Sequence, residues 1–443
     1  MAKKEKILKK VVKKPELKLK LKKVRTVCGV TEYNLPNGLR LLYKRERAVP
    51  VVAVCITFHV GSRNEDIGHT GSTHILEHLL FKDSKKFNRK NGNSISGYLD
   101  WFGASTNATT WLDRTNYFEL LPREHMDKAL ELEADRMRDS LFSAEDLASE
   151  MTVVRNEYER SRNDPFELLD EEMWHTAFSV HPYRIPTIGL KEDIEGATAE
   201  KLREFYDRFY WPDNATLSVF GDVSFAEVET SVLKYFAPIP SSPQPIPEML
   251  TVEPEQTKAR AVVLEKPLDI SIASLAYKMP AATHADYPAM ILCATILAGG
   301  FSARLQKQVV DKGLATEVYL SSPALHDTGL LSVTAHVAES ADAKRVISVM
   351  RKEISKCADI APSAKEIQRA KERLISEIAS ENDGVFTEIR AVSEAIAAGD
   401  WTLGYRMEEL FAKVRASDIL RVARKYLVPS KETSGMLIAP SHA

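Results

Sequence analysis

The sequence predicts an α+β protein built from two similarly organised halves. The clearest evidence is a run of five prolines between Pro238 and Pro247, which cannot continue a helix or a central strand and forms a stiff, extended linker. On each side of this linker, short β-type runs are followed by long helical stretches and then by a closing strand. This shared order favours an internal duplication, although residue identity between the halves is too low to demonstrate one.

The strands and helices follow in a comparable order in both halves. In the first half, we predict an early strand from Val51 to His59 and the closing strand from Thr216 to Gly221. The corresponding strands of the second half run from Ala261 to Leu264 and from Gly435 to Ile438. The early helix of the second half, Asp286 to Ala298, is predicted to be purely structural. The predicted division is a basic flexible tail over residues 1–27, a first domain over 28–237, the linker over 238–250 and a second domain over 251–443.

Composition places the chain among ordinary soluble proteins with more than one domain. It has 443 residues, of which 44% are hydrophobic and 28% charged, and no apolar run approaches membrane-spanning length. A secretory signal pattern is absent. The four cysteines form no CxxC or disulfide-type pattern, which favours free thiols in a reducing compartment. We therefore expect a cytoplasmic protein, with the mitochondrial matrix or the periplasm as alternatives. These cysteines are Cys28, Cys55, Cys293 and Cys357.

The first 25 residues differ from the rest in charge. They contain 12 Lys or Arg against Glu5 and Glu16, a local charge of +10, so that the overall −2 leaves −12 for the body. A solvated extension is the leading interpretation. A mitochondrial transit peptide is the second, although the segment is rich in Lys rather than Arg, poor in Ser and contains acids. Nucleic-acid binding is the weakest, because no aromatic residue is interleaved with the lysines. The acidic body favours a cationic peptide as partner.

His74, Glu77 and His78 form the most informative motif. At 100° per residue, the HxxEH spacing places the two imidazoles and the carboxylate within an arc of about 100° on a helix. One side of this helix can pack into a core while the other offers two imidazole nitrogens to a metal. The alternative is a surface helix that carries these residues by chance. The apolar side consists of Ile75, Leu76, Leu79 and Leu80.

A second helix offers the third ligand that a zinc site needs. It is predicted to begin after Ser143 as N-cap, and its buried stripe has i, i+4, i+7, i+11 spacing. Glu150 and Glu157 flank this stripe, about 10 Å apart along the helix axis, so one metal can readily bind only one of them. The spacing alone leaves open which of the two it is. The stripe consists of Leu147, Met151, Val154 and Tyr158.

With these motifs in order, the chain resembles the M16 metallopeptidases, the inverzincins that include pitrilysin, insulin-degrading enzyme and the mitochondrial processing peptidase. The resemblance covers about Val30 to Pro440 and fits the shorter M16B type. It implies two homologous LuxS/metallohydrolase-like α+β domains that form half of a clam-shaped chamber, of which only the first carries the metal motif. It also implies that Glu157 is the third zinc ligand and Glu150 a supporting carboxylate. The matching motifs are Leu35-Pro36-Asn37-Gly38, Gly61 to Glu65, Gly71, His74 to Lys82, Asn107 to Thr110, Asp113, Thr115, Tyr117, Glu150, Glu157, Pro212 to Asn214 and Gly221-Asp222.

The ligand set suggests hydrolysis of peptide bonds by an activated water. His74, His78 and Glu157 would leave one position on Zn²⁺ for a water of lowered pKa, with Glu77 as general base. No GxSxG motif appears, which argues against a serine or cysteine hydrolase.

Small, β-compatible residues from Gly103 to Thr109 suit an edge strand to which an extended peptide could add. An ordinary strand is the alternative. The resemblance favours the first interpretation, with Asn107 and Ala108 matching positions that contact the substrate backbone.

One departure from the family pattern affects the expected assembly. The resemblance implies an Arg and, six residues later, a Tyr in the second half, whereas this chain has Val310 and Thr316. An isopropyl group cannot replace a guanidinium at a site that recognises a carbonyl or carboxylate. We therefore expect a second, unlike M16-type subunit that supplies both groups, with a homodimer as the rival. A non-catalytic structural subunit is the alternative function, and free-standing peptide degradation competes with precursor processing.

Overall fold

The computed structural model describes residues 20–267 and 270–439. The predicted tail over residues 1–27 therefore lies largely outside the described residues. Its last part, Lys22–Val27, forms a β-strand in the first sheet rather than a tail. A strand is compatible with these residues because every second side chain of an edge strand can be charged and exposed.

The first half is built on a mixed, seven-stranded sheet. The order of its strands in space is β1-β2-β3-β7-β4-β6-β5, which places β5 at one free edge and β1 at the other. Only β3 and β7 are parallel neighbours. In chain order the strands are β1 (Lys22–Val27), β2 (Val30–Asn34), β3 (Arg40–Arg45), β4 (Val51–Phe58), β5 (Ser105–Thr110), β6 (Thr115–Pro122) and β7 (Ala215–Gly221).

The helices of the first half share an apolar core with one face of this sheet. Apolar side chains at helical spacing bury against strand residues such as Ile56, Tyr117 and Leu217, all of which are inaccessible to solvent. The helices are α1 (Ser72–Leu79), α2 (Ile95–Trp101), α3 (Met126–Asp139), α4 (Ala144–Asn163), α5 (Pro165–Ala177), α6 (Lys191–Glu195), α7 (Ala199–Phe209) and α8 (Phe225–Tyr235).

The second half repeats this plan with a five-stranded sheet ordered β10-β11-β9-β12-β8. Its core joins α9, α10 and α14 to the sheet, and α9 is buried along its whole length. The strands are β8 (Arg260–Glu265), β9 (Ile272–Met279), β10 (Ala315–Ser321), β11 (Gly329–Val337) and β12 (Glu432–Ile438). The helices are α9 (Tyr287–Ala298), α10 (Ala343–Asp359), α11 (Ala364–Glu381), α12 (Val385–Ala397), α13 (Leu403–Lys413) and α14 (Ala416–Tyr426).

Each half covers the second face of the other half's sheet with one helix. Helix α12 of the second half packs on the first sheet, where Ile389 and Val392 meet Cys55 and Phe220. In the opposite direction, α5 of the first half packs on the second sheet through residues such as Met173. Both sheets therefore become three-layered only when both halves are present.

The predicted α+β architecture of two similar halves is confirmed. The four strands named from the sequence are present as β4, β7, β8 and β12, and Asp286 caps the apolar helix α9. Between the end of α8 at Tyr235 and the start of β8 at Arg260, the proline-rich segment contains neither helix nor strand. None of the helices within residues 20–267 and 270–439 combines the length and apolar character needed to cross a bilayer.

Candidate metal centre

Helix α1 is fixed at its N-terminus by a buried carboxylate. Gly71, at φ 83°, precedes the helix, and a side chain there would collide with the carbonyl oxygen of Ile188. The Glu65 carboxylate accepts the backbone N–H groups of Gly71 and Thr73, each at 2.7 Å. Burial raises the pKa of Glu65 to about 7, although these hydrogen bonds oppose the shift. Ile75, Leu76 and Leu79 then bury the opposite side of the helix, which orients the HxxEH side.

His74, His78 and Glu157 converge on one point. The two histidine Nε2 atoms are 3.4 Å apart, and Glu157 Oε2 lies 3.5 Å from each of them. Ligands on a tetrahedral zinc with bonds of 2.0–2.1 Å are separated by about 3.4 Å. The three donor atoms thus have the spacing of a zinc site before any ion is considered. Within the part of the chain that the structure describes, no other group of three His, Cys, Asp or Glu side chains has this geometry.

The electrostatic environment favours the metal-binding form of the imidazoles. Burial lowers the pKa of His74 to about 4, and the neighbouring His78 adds to this shift. A neutral imidazole keeps a lone pair for a metal. Burial also raises the pKa of Glu77, while nearby His78 and Arg114 oppose the shift. Glu77 lies on the same helix as both histidines but outside the convergent group of three.

Helix α4 presents its two candidate carboxylates to different atoms of the site. Ser143 caps the helix as predicted, accepting the N–H of Asp146 at 3.0 Å, and Leu147, Met151 and Val154 are buried. Glu157 Oε2 faces the two Nε2 atoms, whereas Glu150 Oε2 lies 3.1 Å from Nδ1 of His78.

Glu150 also forms an ion pair with Lys82, which follows α1 in the chain. Its carboxylate is thereby held in place on both sides. The contact with His78 Nδ1 fixes the tautomer in which Nε2 carries the free lone pair. Sequence spacing could not distinguish the two glutamates, and it gave no signal for Lys82.

Strand β5 provides a free edge beside this centre. Its register with β6 follows from the turn, where the N–H of Trp111 donates to the carbonyl of Arg114. In an antiparallel pair, successive residues alternate between hydrogen-bonded and non-hydrogen-bonded positions. Asn107 and Thr109 form backbone hydrogen bonds with β6, so the backbone N–H and C=O of Ala108 point outward from the edge of the sheet. The N–H of Ala108 donates to the side-chain oxygen of Asn107 at 2.9 Å. The predicted edge strand is therefore present, and its outward N–H at Ala108 is covered by the strand's own side chain.

The second half reaches the end of this strand through α12. Arg114 is buried, donates to the carbonyl of Thr109 at 2.9 Å and to its hydroxyl at 2.7 Å, and pairs with Glu394 on α12 at 3.0 Å. Asn116 donates to the hydroxyl of Ser393 at 2.7 Å. Sequence reasoning missed Arg114 although it lies between two motif residues, and Glu394, 280 positions away, has no local signal.

An acidic cavity of about 420 Å³ lies beside α4. Ser161 lines it and follows Glu157 by one helical turn, or about 6 Å. Burial raises the pKa of Asp170 to about 6, and Arg162 forms an ion pair with Glu171 at 3.2 Å. Ser321 and Pro323 of the second half close the cavity. The remaining lining includes Glu167 and Asp170 with the aromatic residues Trp111, Trp174 and Tyr183.

The second half contains neither of the groups expected from the family pattern at Val310 and Thr316. Val310 ends a short π-helical turn, and Thr316 is exposed on β10. The Thr316 hydroxyl makes only a long contact, 3.5 Å, with the carbonyl of His336. Helix α9, which occupies the position of the early helix in this half, has neither His nor Glu.

Comparison with protein families gives matches over most of the chain. The model described as insulinase, peptidase family M16, matches residues 40–190. The model described as peptidase M16 inactive domain matches residues 196–374. The first match contains α1, α4 and β5, and thus every residue of the candidate centre.

Known proteins with similar sequences include zinc proteases and a processing-peptidase subunit. The zinc protease PqqE of Helicobacter pylori is 29% identical over 416 residues, which are 91% of each chain. An Arabidopsis thaliana protein named "probable mitochondrial-processing peptidase subunit beta" is 25% identical over 408 residues, 89% of this chain and 75% of that protein.

Solved structures share the fold over nearly the whole length. A protease from Helicobacter pylori superposes with a TM-score of 0.85 and 27% identity, covering 95% of this chain and 100% of the other. A Pseudomonas fluorescens structure described as a peptidase M16 inactive domain gives 0.82 at 20% identity, covering 94% and 98%.

Proposed function

We propose that this chain, which belongs to the M16 peptidase family, is a zinc-dependent endopeptidase. The observation that carries the proposal is the convergence of His74 Nε2, His78 Nε2 and Glu157 Oε2 at 3.4–3.5 Å, the separation expected around a tetrahedral zinc. Three protein ligands with one position left over are typical of a catalytic site, since structural zinc sites use four.

In the proposed mechanism, each residue near the centre has one task. Bound zinc would supply a water of lowered pKa and would polarise the scissile carbonyl. Glu77, on the same helix as the two histidines, would act as the general base that takes a proton from the attacking water and later passes it to the leaving amine. Glu150, held by Lys82, orients His78 through Nδ1.

We propose that the substrate is a peptide bound in extended form along β5. The outward backbone groups of Ala108 support this, because they can pair with an added strand once the Asn107 side chain moves away. The cavity with Glu167 and Asp170 supports a preference for a basic side chain close to the scissile bond, whereas Glu171 is already paired with Arg162.

A second subunit would complete the chamber. At positions 310 and 316 the chain has Val and Thr in place of the guanidinium and phenol that the family pattern implies, and one named relative is a processing-peptidase subunit. A partner of the same family with both groups is therefore the proposed assembly, and a homodimer is the alternative.

The same absence favours a second candidate function, a non-catalytic structural subunit of an M16 heterodimer. A subunit with a purely structural role does not need side chains that contact a substrate, so it can lose them without loss of function. Against it stands the retention of the complete ligand set together with Glu77.

The test combines metal content with peptide cleavage by Glu77→Gln. The substitution preserves volume, so about one zinc per chain and the thermal midpoint should persist while turnover falls by about 10²–10⁴-fold. Glu145→Gln makes the same charge change at an exposed position of α4 and should leave turnover unchanged. Both the chain alone and its complex with any co-purifying subunit are assayed. Zinc binding without cleavage in either form would favour the structural alternative, and absence of zinc would refute both the site and the proposed activity.

A further inference from the structure

The second half contains a cavity of about 790 Å³ that occupies the same place in its fold as the acidic cavity of the first half. In each half the cavity lies where two successive helices meet the outermost hairpin of the sheet. These are α4 and α5 with the turn after β5, and α11 and α12 with the turn after β10. Helix α12 begins 21 residues after α11, as α5 does after α4. The two cavities are therefore counterparts in the internal repeat.

The second cavity, as we call the one in the second half, is a neighbour of the first. Four consecutive residues after β10 separate the two, because Ser321 and Pro323 line the first cavity whereas Ser322 and Ala324 line the second. This alternation is typical of an extended segment, in which successive side chains point to opposite sides. A peptide that leaves one cavity can therefore reach the other by crossing a single stretch of chain.

The second cavity also adjoins the proposed substrate edge. Glu394 on α12 lines the cavity and pairs with Arg114, which donates to the carbonyl of Thr109 at 2.9 Å near the end of β5. A peptide that is added to β5 and continues past Thr110 therefore passes close to the rim of the cavity.

Apolar side chains form the floor of the second cavity. Ile291, Met407 and Phe411 are buried there, and Leu374 and Ile378 are half-buried. The volume lies within the range of about 300–1,000 Å³ that is typical of ligand pockets and exceeds that of one amino-acid side chain. The cavity can thus take a short peptide segment, and an apolar side chain on the floor gains free energy by leaving water.

Three carboxylates lie at the rim, and one of them is free to bind a cation. Glu377 pairs with Arg373 at 2.9 Å, and Glu394 pairs with Arg114. Glu381 has no ion-pair partner within the residues that the structure describes, and burial together with the two neighbouring carboxylates raises its pKa. A positively charged group beside Glu381 would relieve this repulsion.

The remaining charged residue that lines the second cavity is Arg390. Its guanidinium lies 5.8 Å from the ring centre of Phe118 and 5.9 Å from that of Phe386, over aromatic faces that attract a cation. Three carboxylates and one guanidinium therefore line the cavity, which favours a basic ligand over an acidic one.

We propose that the second cavity is a substrate subsite, which binds a bulky apolar side chain of the peptide while Glu381 pairs with a basic residue next to that side chain. The proposal rests on the peptidase function proposed above, because the occupant is a segment of the peptide that lies along β5. The first cavity holds a basic residue near the scissile bond, and the second holds an apolar–basic pair farther along the same peptide. Preferred substrates thus carry two basic residues, the second of them beside a leucine or phenylalanine.

The experiment measures peptide binding separately from cleavage. Zinc-loaded Glu77→Gln is titrated with fluorescein-labelled alanine–serine peptides that carry one arginine and, at increasing distance from it, a leucine–arginine pair. Fluorescence anisotropy gives the Kd. At one range of distances, we expect the Kd to be about tenfold lower than for a peptide in which two alanines replace the pair. A Kd that does not depend on the pair at any distance would overturn the proposal.

Two further substitutions in the Glu77→Gln chain test whether the second cavity causes the effect. Ala391→Trp fills the cavity and should abolish the preference for the pair, and Glu381→Gln should weaken that preference by up to about fivefold. Ala379→Trp and Glu408→Gln make the same changes at exposed positions of α11 and α13 outside the cavity and should retain the full preference. Circular dichroism establishes that each variant is folded. An unchanged preference in Ala391→Trp, or in Glu381→Gln where Ala391→Trp does not fold, would overturn the proposal.

The outcome can be distinguished from that of the proposed peptidase function. If wild-type protein cleaves none of the peptides while Glu77→Gln retains the preference for the pair, the peptidase function is contradicted and the cavity is supported as a peptide-binding site. If wild-type protein cleaves the peptides at rates that do not depend on the pair, the peptidase function is supported and the second subsite is overturned.

Discussion

The imidazole of His78 has a different neighbour at each nitrogen, and these contacts divide the work of the candidate centre. Nε2 faces His74 and Glu157, and Nδ1 faces Glu150. A ligand contributes directly to metal affinity, whereas a group that orients a ligand contributes through its geometry and basicity. The two glutamates of α4 should therefore differ in how strongly their removal affects zinc.

The first prediction follows from this difference. Glu157→Gln should remove most of the bound zinc, while Glu150→Gln should weaken zinc about 10–100-fold and leave the site able to fill at high metal concentration. Zinc titration of the metal-free protein measures both constants, and Glu145→Gln on the same helix is the control. Equal losses for Glu150→Gln and Glu157→Gln would contradict the assigned division.

The acidic cavity leads to a second prediction, on the charge of the substrate. Replacing Glu167 by glutamine should lower kcat/KM by up to about fivefold for peptides with a basic side chain near the scissile bond, because a partly exposed ion pair contributes up to about 1 kcal/mol. Peptides with norleucine in its place should be little affected. Glu248→Gln in the linker makes the same charge change away from the cavity and is the matched control. If kcat/KM fell equally for both peptides, the cavity would not recognise the charge of the substrate side chain.

At the residue scale, the sequence predicted those parts of the site whose residues lie within one or two turns of the same helix. The HxxEH spacing located His74, Glu77 and His78 because a helix converts spacing into direction. Spacing alone left Glu150 and Glu157 ambiguous because it places them on the same side of α4. The resemblance to the M16 family implied Glu157 as the ligand, and the packing of α4 against α1 decides which one meets the histidines. The contacts of Lys82 and Arg114 were not predicted because their partners lie far along the chain.

Among the elements, strand β5 has a backbone N–H, that of Ala108, which does not contribute to the hydrogen bonds of the sheet and is available to bind a peptide once the Asn107 side chain moves away. Its N–H groups alternate between β6 and the free edge, so one at Ala108 can be removed without breaking the sheet. The side chain of Asn107 covers this N–H, which leaves the edge without an open donor there. An open edge donor invites pairing with another chain, and this side chain blocks one such donor.

The third prediction uses this outward N–H. Ala108→Pro removes the donor, and proline is tolerated on edge strands where the N–H faces away from the sheet. We expect zinc content to persist and the thermal midpoint to fall by no more than a few degrees, with kcat/KM for extended peptides at least about tenfold lower. Ala108→Gly retains the N–H and is the control for the loss of the methyl group. Unchanged kcat/KM in Ala108→Pro would exclude strand addition at this position.

The elements most readily predicted were those with a clear period or a strong break. Strands β4 and β7 are continuous apolar runs, and the prolines after Pro238 end the first half. Strand β1 was assigned to the tail because its lysines dominate its composition, and its pairing with β2 depends on residues that follow a turn. The position of α12 on the first sheet could not be predicted, since a buried helical stripe does not specify which sheet it covers.

For the whole molecule, the exchange of α5 and α12 makes the metal-free half part of the candidate site. Glu394 pairs with Arg114, which holds the end of β5, and Ser393 contacts Asn116 on the neighbouring strand. The second half thus supports the proposed substrate edge although, among the described residues, it contributes no ligand to the candidate centre. It has no positively charged group at Val310, so under the two-subunit proposal the group that holds the peptide carbonyl would come from another chain.

The last prediction concerns the source of the group that holds the peptide carbonyl. If an unlike subunit supplies an arginine and a tyrosine, the isolated chain should hold a full complement of zinc and still cleave peptides poorly. The physical reason is that cleavage requires the scissile carbonyl to stay near the metal, and a displacement of about 1 Å can cost about 100-fold in rate. Adding a partner of similar length that has both groups but lacks HxxEH should restore turnover, and a partner in which that arginine is replaced by methionine should bind without restoring it. Light scattering establishes the assembly in each assay. Rapid cleavage by a monomer or homodimer of this chain alone would exclude the two-subunit proposal and would mean that other residues of the chamber, such as those around the acidic cavity, position the substrate unaided.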